Sequence, residues 1–409
     1  MQRADLVIVG AGVVGLAVAR AAKLRQNDLK IIIVEKESRE AFHSSGRNSG
    51  VLHAGFYYTA DSLKARFTVN GNAQMRAFCA AHGLAINECG KLVVAQDSAQ
   101  LEQLYELERR GKRNGSEVYI VDAAEAERLE PNVVTFQKAL WSPRTATVDP
   151  RDVCKKLREE LEAQGVHFLF EREAISLNDS QLLTSKETLG FRWLVNCAGL
   201  YADKLAHQVE VGKQYTMLPF KGLYIKYSGS SPPVKRNIYP VPNLKNPFLG
   251  VHFTITRNGT VKIGPTATPA FWREHYRGWE GFKLEESAEI LRWQAELFAR
   301  NSFGFRSLAI EEIKKYRREY FVAQARSLVK SFDEAGFKDF AEPGIRAQLL
   351  DRNTKSLVQD FIVEKRGNTV HVLNAVSPGF TCSFPFAEFV VENYLPFAKQ
   401  QNFSEGVSA

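Results

Sequence analysis

The sequence predicts an α/β plus α+β protein: a unit built on a parallel sheet, interleaved with a second unit of mostly antiparallel strands that carries helices. Three observations predict it. The first 35 residues run strand, glycine turn, helix, strand. A helix-then-strand pattern returns at residues 149–170, and a further strand candidate at 189–197. Elsewhere, above all at 217–263, short strand-like segments are punctuated by Pro and Gly, as antiparallel sheets are. The length of 409 residues suits two or three domains. Hydrophobic residues at 44% and charged residues at 24% are ordinary for a globular chain and exclude wholesale disorder, collagen and coiled coil. No apolar run reaches about 18 residues, so no transmembrane helix is expected.

The opening strand is Asp5-Leu6-Val7-Ile8-Val9, followed by Gly10-Ala11-Gly12-Val13-Val14-Gly15 and a helical run to residue 25. The next strand, Lys30-Ile31-Ile32-Ile33-Val34, ends at Glu35 and Lys36, with the acid 20 positions after Gly15. Gly10 permits the tight turn, Gly12 the approach of a pyrophosphate, and Gly15 the close packing of helix on strand. The helix N-terminus presents free N–H groups and a positive dipole end to phosphates. Glu35 is placed to accept from ribose hydroxyls. GxGxxG alone is weak; with strand, helix, spacing and acid together it predicts a Rossmann-like dinucleotide site. Its N-terminal position favours FAD over NAD(P). No basic segment or cleavage site precedes the first strand, so no secretory signal is expected, though a removed transit peptide would leave no trace.

The stretch His43-Ser44-Ser45-Gly46-Arg47-Asn48-Ser49-Gly50-Val51-Leu52-His53-Ala54-Gly55-Phe56-Tyr57-Tyr58 is rich in glycine and donors, which suits backbone running close to a flat ligand. This run, with Cys89-Gly90-Lys91-Leu92-Val93-Val94-Ala95, Asn196-Cys197-Ala198-Gly199-Leu200-Tyr201-Ala202-Asp203, Pro219-Phe220-Lys221-Gly222, Ile238-Tyr239-Pro240-Val241-Pro242, Pro247-Phe248-Leu249-Gly250-Val251-His252, Gly344-Ile345-Arg346 and Asn374-Ala375-Val376-Ser377-Pro378, resembles the L-2-hydroxyglutarate dehydrogenase/oxidase family of D-amino-acid-oxidase-like FAD oxidoreductases. The resemblance runs nearly the whole chain, in order. It implies a discontinuous FAD-binding domain (1–88, 148–213 and 341–400) interrupted twice by a substrate domain (89–147 and 214–340), with a tail at 401–409. It also implies oxidation of L-2-hydroxyglutarate to 2-oxoglutarate, by hydride transfer from C2 to the flavin.

Other helices are expected at 62–82, closed by Gly83, at 97–114, closed by Gly115, and from Asp149-Pro150 to Gly165. A charged helix is expected at 311–332 and a final one at 384–395.

For a 2-hydroxy acid, a base must take the hydroxyl proton, and a neutral imidazole suits the task. His53 follows the glycine-rich stretch and is read as the base, with His252 as a substrate donor; the two roles are interchangeable. A dicarboxylate needs cations, and the Arg fork pairs best with carboxylate. The resemblance puts Arg346 on the substrate carboxylate, with Lys221 as second cation; Tyr57 and Tyr239 are candidate hydroxyl donors. The cofactor set is Gly10, Gly12, Val14, Gly15, Glu35, Lys36, Ser45, Arg47, Asn48, Ser49, Gly50, Ala174, Ala198 and Gly199. Ser377, Pro378, Gly379, Phe380 and Thr381 complete it at the flavin pyrimidine end. Gly379-Phe380 stands where the family carries smaller residues, and Cys382 and Phe384 add bulk, so flavin contacts here are expected to differ from the common form. No cysteine or histidine matches a covalent flavin position, so noncovalent FAD is expected, and no metal.

Five scattered cysteines suit reduced thiols in a cytosol-like compartment, mitochondrial if a transit peptide has been lost. The net charge of +8 is too mild for a nucleic-acid partner. Residues 301–330 carry seven basic groups against three acids. They read either as a solvated helix face or as a peripheral patch on an anionic inner-membrane face. Quinone, O₂ and an electron-transfer protein all stay open as acceptor. Two other readings stand beside the main one: a related flavin oxidoreductase acting on another 2-hydroxy acid or an amino or imino acid, and a non-catalytic FAD-binding subunit of an electron-transfer complex.

Overall fold

The computed structural model describes residues 1–242 and 249–397. Pro247 and Phe248 of the histidine motif, and the tail 401–409, lie outside the described residues.

The central parallel sheet runs Thr369–Asn374, Thr188–Asn196, Gln2–Val9, Ile31–Val34 and His167–Leu169, with the antiparallel strand Ile362–Arg366 at one edge. Its strands are apolar on both faces because both faces are covered. Leu6 and Ile8 pack on helices Val13–Arg25 and Gly379–Tyr394. Val7 and Val9 point the other way, to helix Ala202–His207 and to Met217 and Leu349 of a second sheet. Burying each such side chain contributes about 1.5–3 kcal/mol.

That second sheet is antiparallel, with Tyr215–Gly222 paired to Gly344–Asp351. A third sheet has eight strands, antiparallel except where Asn237–Pro240 runs beside Lys91–Val94. Helix Arg318–Arg326 covers one of its faces through Phe321, Val322 and Ala325. Helix Ala99–Arg113 covers Val93, Leu140 and Tyr239 on the other.

Helix Leu63–Ala81 is capped by the Ser62 hydroxyl, which accepts from Ala65 N, and helix Pro150–Ala163 by Asp149, which accepts from Arg151 N. Two expectations are corrected. The helix expected over 311–332 is two, Phe305–Lys314 and Arg318–Arg326. Their apolar faces belong to different cores, Phe305 and Ala309 to one and Phe321 and Val322 to another, so the chain turns between them. The last helix begins at Gly379, not 384, and carries Pro385 inside. Proline leaves the Thr381 carbonyl without its i+4 donor; that carbonyl instead lies against Gly71, where any Cβ would overlap it.

Candidate active site

A cavity of about 900 Å³ opens at the carboxyl ends of the parallel strands, where Val9, Val34 and Cys197 line it. Crevices there are the usual ligand site of such sheets. Gly10, Gly12, Val14, Glu35, Lys36, Ser45, Arg47, Asn48, Ser49, Ala174, Ala198 and Gly199 also line it, as do all five residues from Ser377 to Thr381. Gly15 and Gly50 stand behind the wall. A Cβ on Gly15 would overlap the Gly10 carbonyl, and one on Gly50 the Val148 carbonyl, so both serve close backbone packing.

The glycine turn is held by side chains from outside it. Ala11 N donates to Glu35 Oε2 at 2.9 Å, and Val13 N to Ser45 Oγ at 2.9 Å. Glu35 Oε1 accepts from Glu37 N at 3.0 Å. Lys36 pairs with Glu37 and with Glu274 (2.7 Å), and His43 Nε2 lies 2.9 Å from Glu37. The Glu37 carboxyl is held at about 2, chiefly by its hydrogen bond with His43. Cys382 and Phe384, the bulky departures, point into the helix core rather than the cavity; Phe380 does line it.

His53 reaches the cavity at the end where the last helix begins. Its N–H donates to Thr381 Oγ1 at 3.1 Å, and Asn72 Nδ2 donates to its carbonyl at 3.1 Å. These bonds hold the His53 backbone against the first turn of that helix and against helix Leu63–Ala81. His53 Nδ1 is buried without a hydrogen-bond partner. Burial holds the ring's pKa well below the usual histidine range, helped by the charges of Lys91 and His252, so the ring is neutral at pH 7. Arg346 lines the same cavity.

His252, Tyr239, Tyr57 and Lys221 are not in that lining. His252 and Tyr239 stack at 3.6 Å behind it. The His252 Nδ1–H donates to the Gly250 carbonyl at 2.8 Å, and burial pushes the ring down to about 3. The Tyr57 hydroxyl is buried and unpartnered. Lys221 pairs with Ile345 in register while Arg346 pairs with Phe220. Directly opposed residues share a face and neighbours alternate, so Lys221 and Arg346 project from opposite faces of the sheet.

Two functional features went unread in the sequence. Asn72 pins the His53 strand through three carbonyls, yet reads as an ordinary polar helix position. Lys91 is wholly buried beside Tyr239, Tyr57 and the two histidines. Its signal was present: a lysine opening a strand whose following residues are all apolar.

The sequence profile of the family described as "DAO: FAD dependent oxidoreductase" matches residues 5–393. The chain belongs to this family. Among relatives of this FAD dependent oxidoreductase, the mitochondrial L-2-hydroxyglutarate dehydrogenase of Caenorhabditis elegans is 34% identical, over 95% of this chain and 93% of its own. The Escherichia coli L-2-hydroxyglutarate dehydrogenase is 31% identical, over 95% and 92%. Among solved structures, the FAD-bound L-alpha-glycerophosphate oxidase of Mycoplasma pneumoniae superposes with a TM-score of 0.74 at 22% identity, covering 98% of this chain and 97% of that one. The glycine oxidase of Geobacillus kaustophilus gives 0.70 at 18%, over 98% and 99%. These two share the fold.

The residues present fit FAD. The N-terminus of helix Val13–Arg25 meets the cavity at a turn where Gly12 has no side chain, and a second helix N-terminus, at Gly379, meets the other end. The first would hold the pyrophosphate, and the second would stabilise negative charge on the reduced ring. Among the described residues no helix is long and apolar enough to cross a membrane.

Proposed function

We propose that the protein oxidises L-2-hydroxyglutarate to 2-oxoglutarate using noncovalently bound FAD. The observation that carries this reading is His53, a neutral imidazole at the cavity wall whose backbone N–H is tethered to the first turn of the last helix. The names of relatives more than 30% identical over 95% of the chain supply the substrate. Bound FAD would supply the acceptor for the C2 hydride. The protein's own residues do the rest. Arg346 pairs with the substrate's C1 carboxylate and orients it. His53 takes the hydroxyl proton as the carbonyl forms. His252, with Nδ1–H committed to Gly250, presents Nε2 only as an acceptor, so it is the alternative base for the same proton rather than the substrate donor expected from the sequence.

Anaerobic titration with L- and D-2-hydroxyglutarate tests the reading. The L form is expected to bleach the flavin and the D form to leave it yellow. Bleaching only by another 2-hydroxy acid or by an amine would replace the substrate. Bleaching by nothing would favour a non-catalytic FAD-binding subunit. Acid precipitation is expected to leave the yellow colour in the supernatant.

Peripheral contact with an anionic bilayer, and hence a quinone acceptor, is supported by a surface rather than by charge. Of 19 exposed large apolar side chains among the described residues, ten fall between 271 and 316. Trp279 is 77% exposed and Leu284 73%, and Leu284, Leu291 and Phe298 recur every seven residues on one helix face. Much of the neighbouring positive charge is already engaged: Lys315 with Glu312, Arg326 with Glu334, Lys330 with Glu127. Co-sedimentation with anionic vesicles is expected for the native protein and should weaken in the double variant Trp279→Ser, Leu284→Ser. No sedimentation at low salt would leave O₂ or a protein as acceptor.

A further inference from the structure

Among the described residues, one lysine Nζ is fully buried without a hydrogen-bond partner, while other buried cations are held by acceptors. Arg273 grips Asp203, Lys315 pairs with Glu312, and Lys23 donates to the Asn27 carbonyl at 2.8 Å. Lys91 is 0% exposed, and its Nζ has no hydrogen-bond partner. An ammonium taken out of water without an acceptor is strongly disfavoured, so a chain that keeps one there has a use for it.

The surroundings indicate the use. Lys91 Nζ lies 4.1 Å from the centroid of the Tyr239 ring and 5.2 Å from that of Tyr57. Aromatic faces tolerate a cation but accept no proton-donating bond of full strength. The Tyr57 hydroxyl and His53 Nδ1 are likewise buried and unpartnered. An ammonium and a phenol are both donors, and their shared complement is an oxygen anion. The charge of Lys91 also bears on both His53 and His252, and that of Arg346 on His252. His252 thus feels two cations that come from different sheets.

We propose that Lys91, with the Tyr57 hydroxyl, receives the second carboxylate of a dicarboxylate substrate, and that Lys91 is what makes the site prefer diacids to monocarboxylic 2-hydroxy acids. This rests on the reading of the reaction given above and deepens it. Arg346 takes the carboxylate beside the alcohol carbon and Lys91 the far one, with the alcohol carbon between them at the histidines. Lys221, on the face of its sheet opposite Arg346, does not share this task.

The test compares holoenzyme forms of the native protein, Lys91→Gln, Lys91→Met and Tyr57→Phe. Each is assayed with L-2-hydroxyglutarate and with L-2-hydroxybutyrate, and titrated calorimetrically with glutarate and butyrate. Lys91→Gln is expected to raise KM for the diacid about 100-fold, to change kcat and the monoacid KM far less, and to weaken glutarate binding in step. Tyr57→Phe should do the same about tenfold. Lys91→Met removes the buried charge outright and carries the readout should the Gln variant not fold. Equal losses on diacid and monoacid, or glutarate binding unchanged, would overturn the proposal. A native enzyme that oxidises neither acid would instead sink the reaction assignment, and the glutarate-to-butyrate binding ratio would still decide the role of Lys91.

Discussion

The cofactor cradle and the histidine pocket sit side by side and are built in opposite ways. The cradle is mostly backbone, and its side chains are engaged: Glu35 accepts two N–H bonds and Ser45 caps Val13. The histidine pocket is side chains from four separate stretches, and it leaves Lys91 Nζ, Tyr57 Oη and His53 Nδ1 buried without partners. A satisfied region stabilises the fold, whereas a region of orphaned polar groups is held ready for a ligand at the fold's expense. Substitutions in the two regions should therefore separate into losses of stability and losses of rate or affinity.

The largest expected effect is at His53. Replacing a positioned base lowers rate about 10²–10⁴-fold. His53→Ala should show this in kcat with little change in KM, and with flavin content and Tm near native, because the contacts that hold the strand are made by its backbone. A loss confined to KM would move the base role to His252.

On the satisfied side, the contrast is Asp203 with Arg273, 2% and 1% exposed and joined by bonds of 2.7 and 3.0 Å. Asp203 also accepts from Met217 N at 2.9 Å. Removing one partner of such a pair costs about 3–5 kcal/mol, since the other charge is left buried alone. Asp203→Ala should lower stability by that order in urea melts while the KM of surviving enzyme stays near native. Arg273 and the bond to Met217 hold the Asp203 carboxyl below the usual carboxylate range against the opposing effect of burial. Its stabilisation is therefore present at neutral pH and lost as pH falls through the folded value. By contrast Lys91→Met should not destabilise, because the charge it removes has no hydrogen-bonded partner. Arg346→Met should come next in size, raising KM about 10–100-fold with a smaller change in kcat.

The same division governs what could be read from the chain. The cradle was legible because its parts are contiguous and each has a backbone reason: turn glycines, an acid at a strand end, a helix N-terminus. The helix from Gly379 was legible only from 384 onward, since Pro385 reads as a break until Gly71 is seen to make room for the Thr381 carbonyl. The pocket was half legible. Motif resemblance pointed to His53, His252 and Arg346, but the second cation was sought at Lys221, where register puts it on the other face. Lys91 left a signal in the sequence, a lysine opening an apolar strand, but its neighbours become visible only when strand order sets it beside Asn237–Pro240, more than a hundred residues away in sequence.

The smallest effect is the one that sharpens the comparison most. Burial pushes Lys91 down to about 7, while His252 is at about 3 and His53 lies well below its usual value. The other titratable groups facing Lys91 stay neutral in this range: the Cys89 thiol is pushed up, and the Tyr57 and Tyr239 phenols well up, all by burial. Arg346 stays cationic. A lysine binds carboxylate only when protonated, so kcat/KM for the diacid should fall as pH rises through about 7, by up to tenfold per unit. Bound anion favours the protonated form, so the limb in kcat should move to higher pH, and glutarate binding at pH 8 should take up a proton, read as a buffer-dependent enthalpy. The limb should be absent with a monoacid and absent in Lys91→Gln. Lys64 and Lys221, each pushed down to about 8 by burial, are the alternative sources. A limb that survives in Lys91→Gln would belong to one of them and would take the second carboxylate away from Lys91.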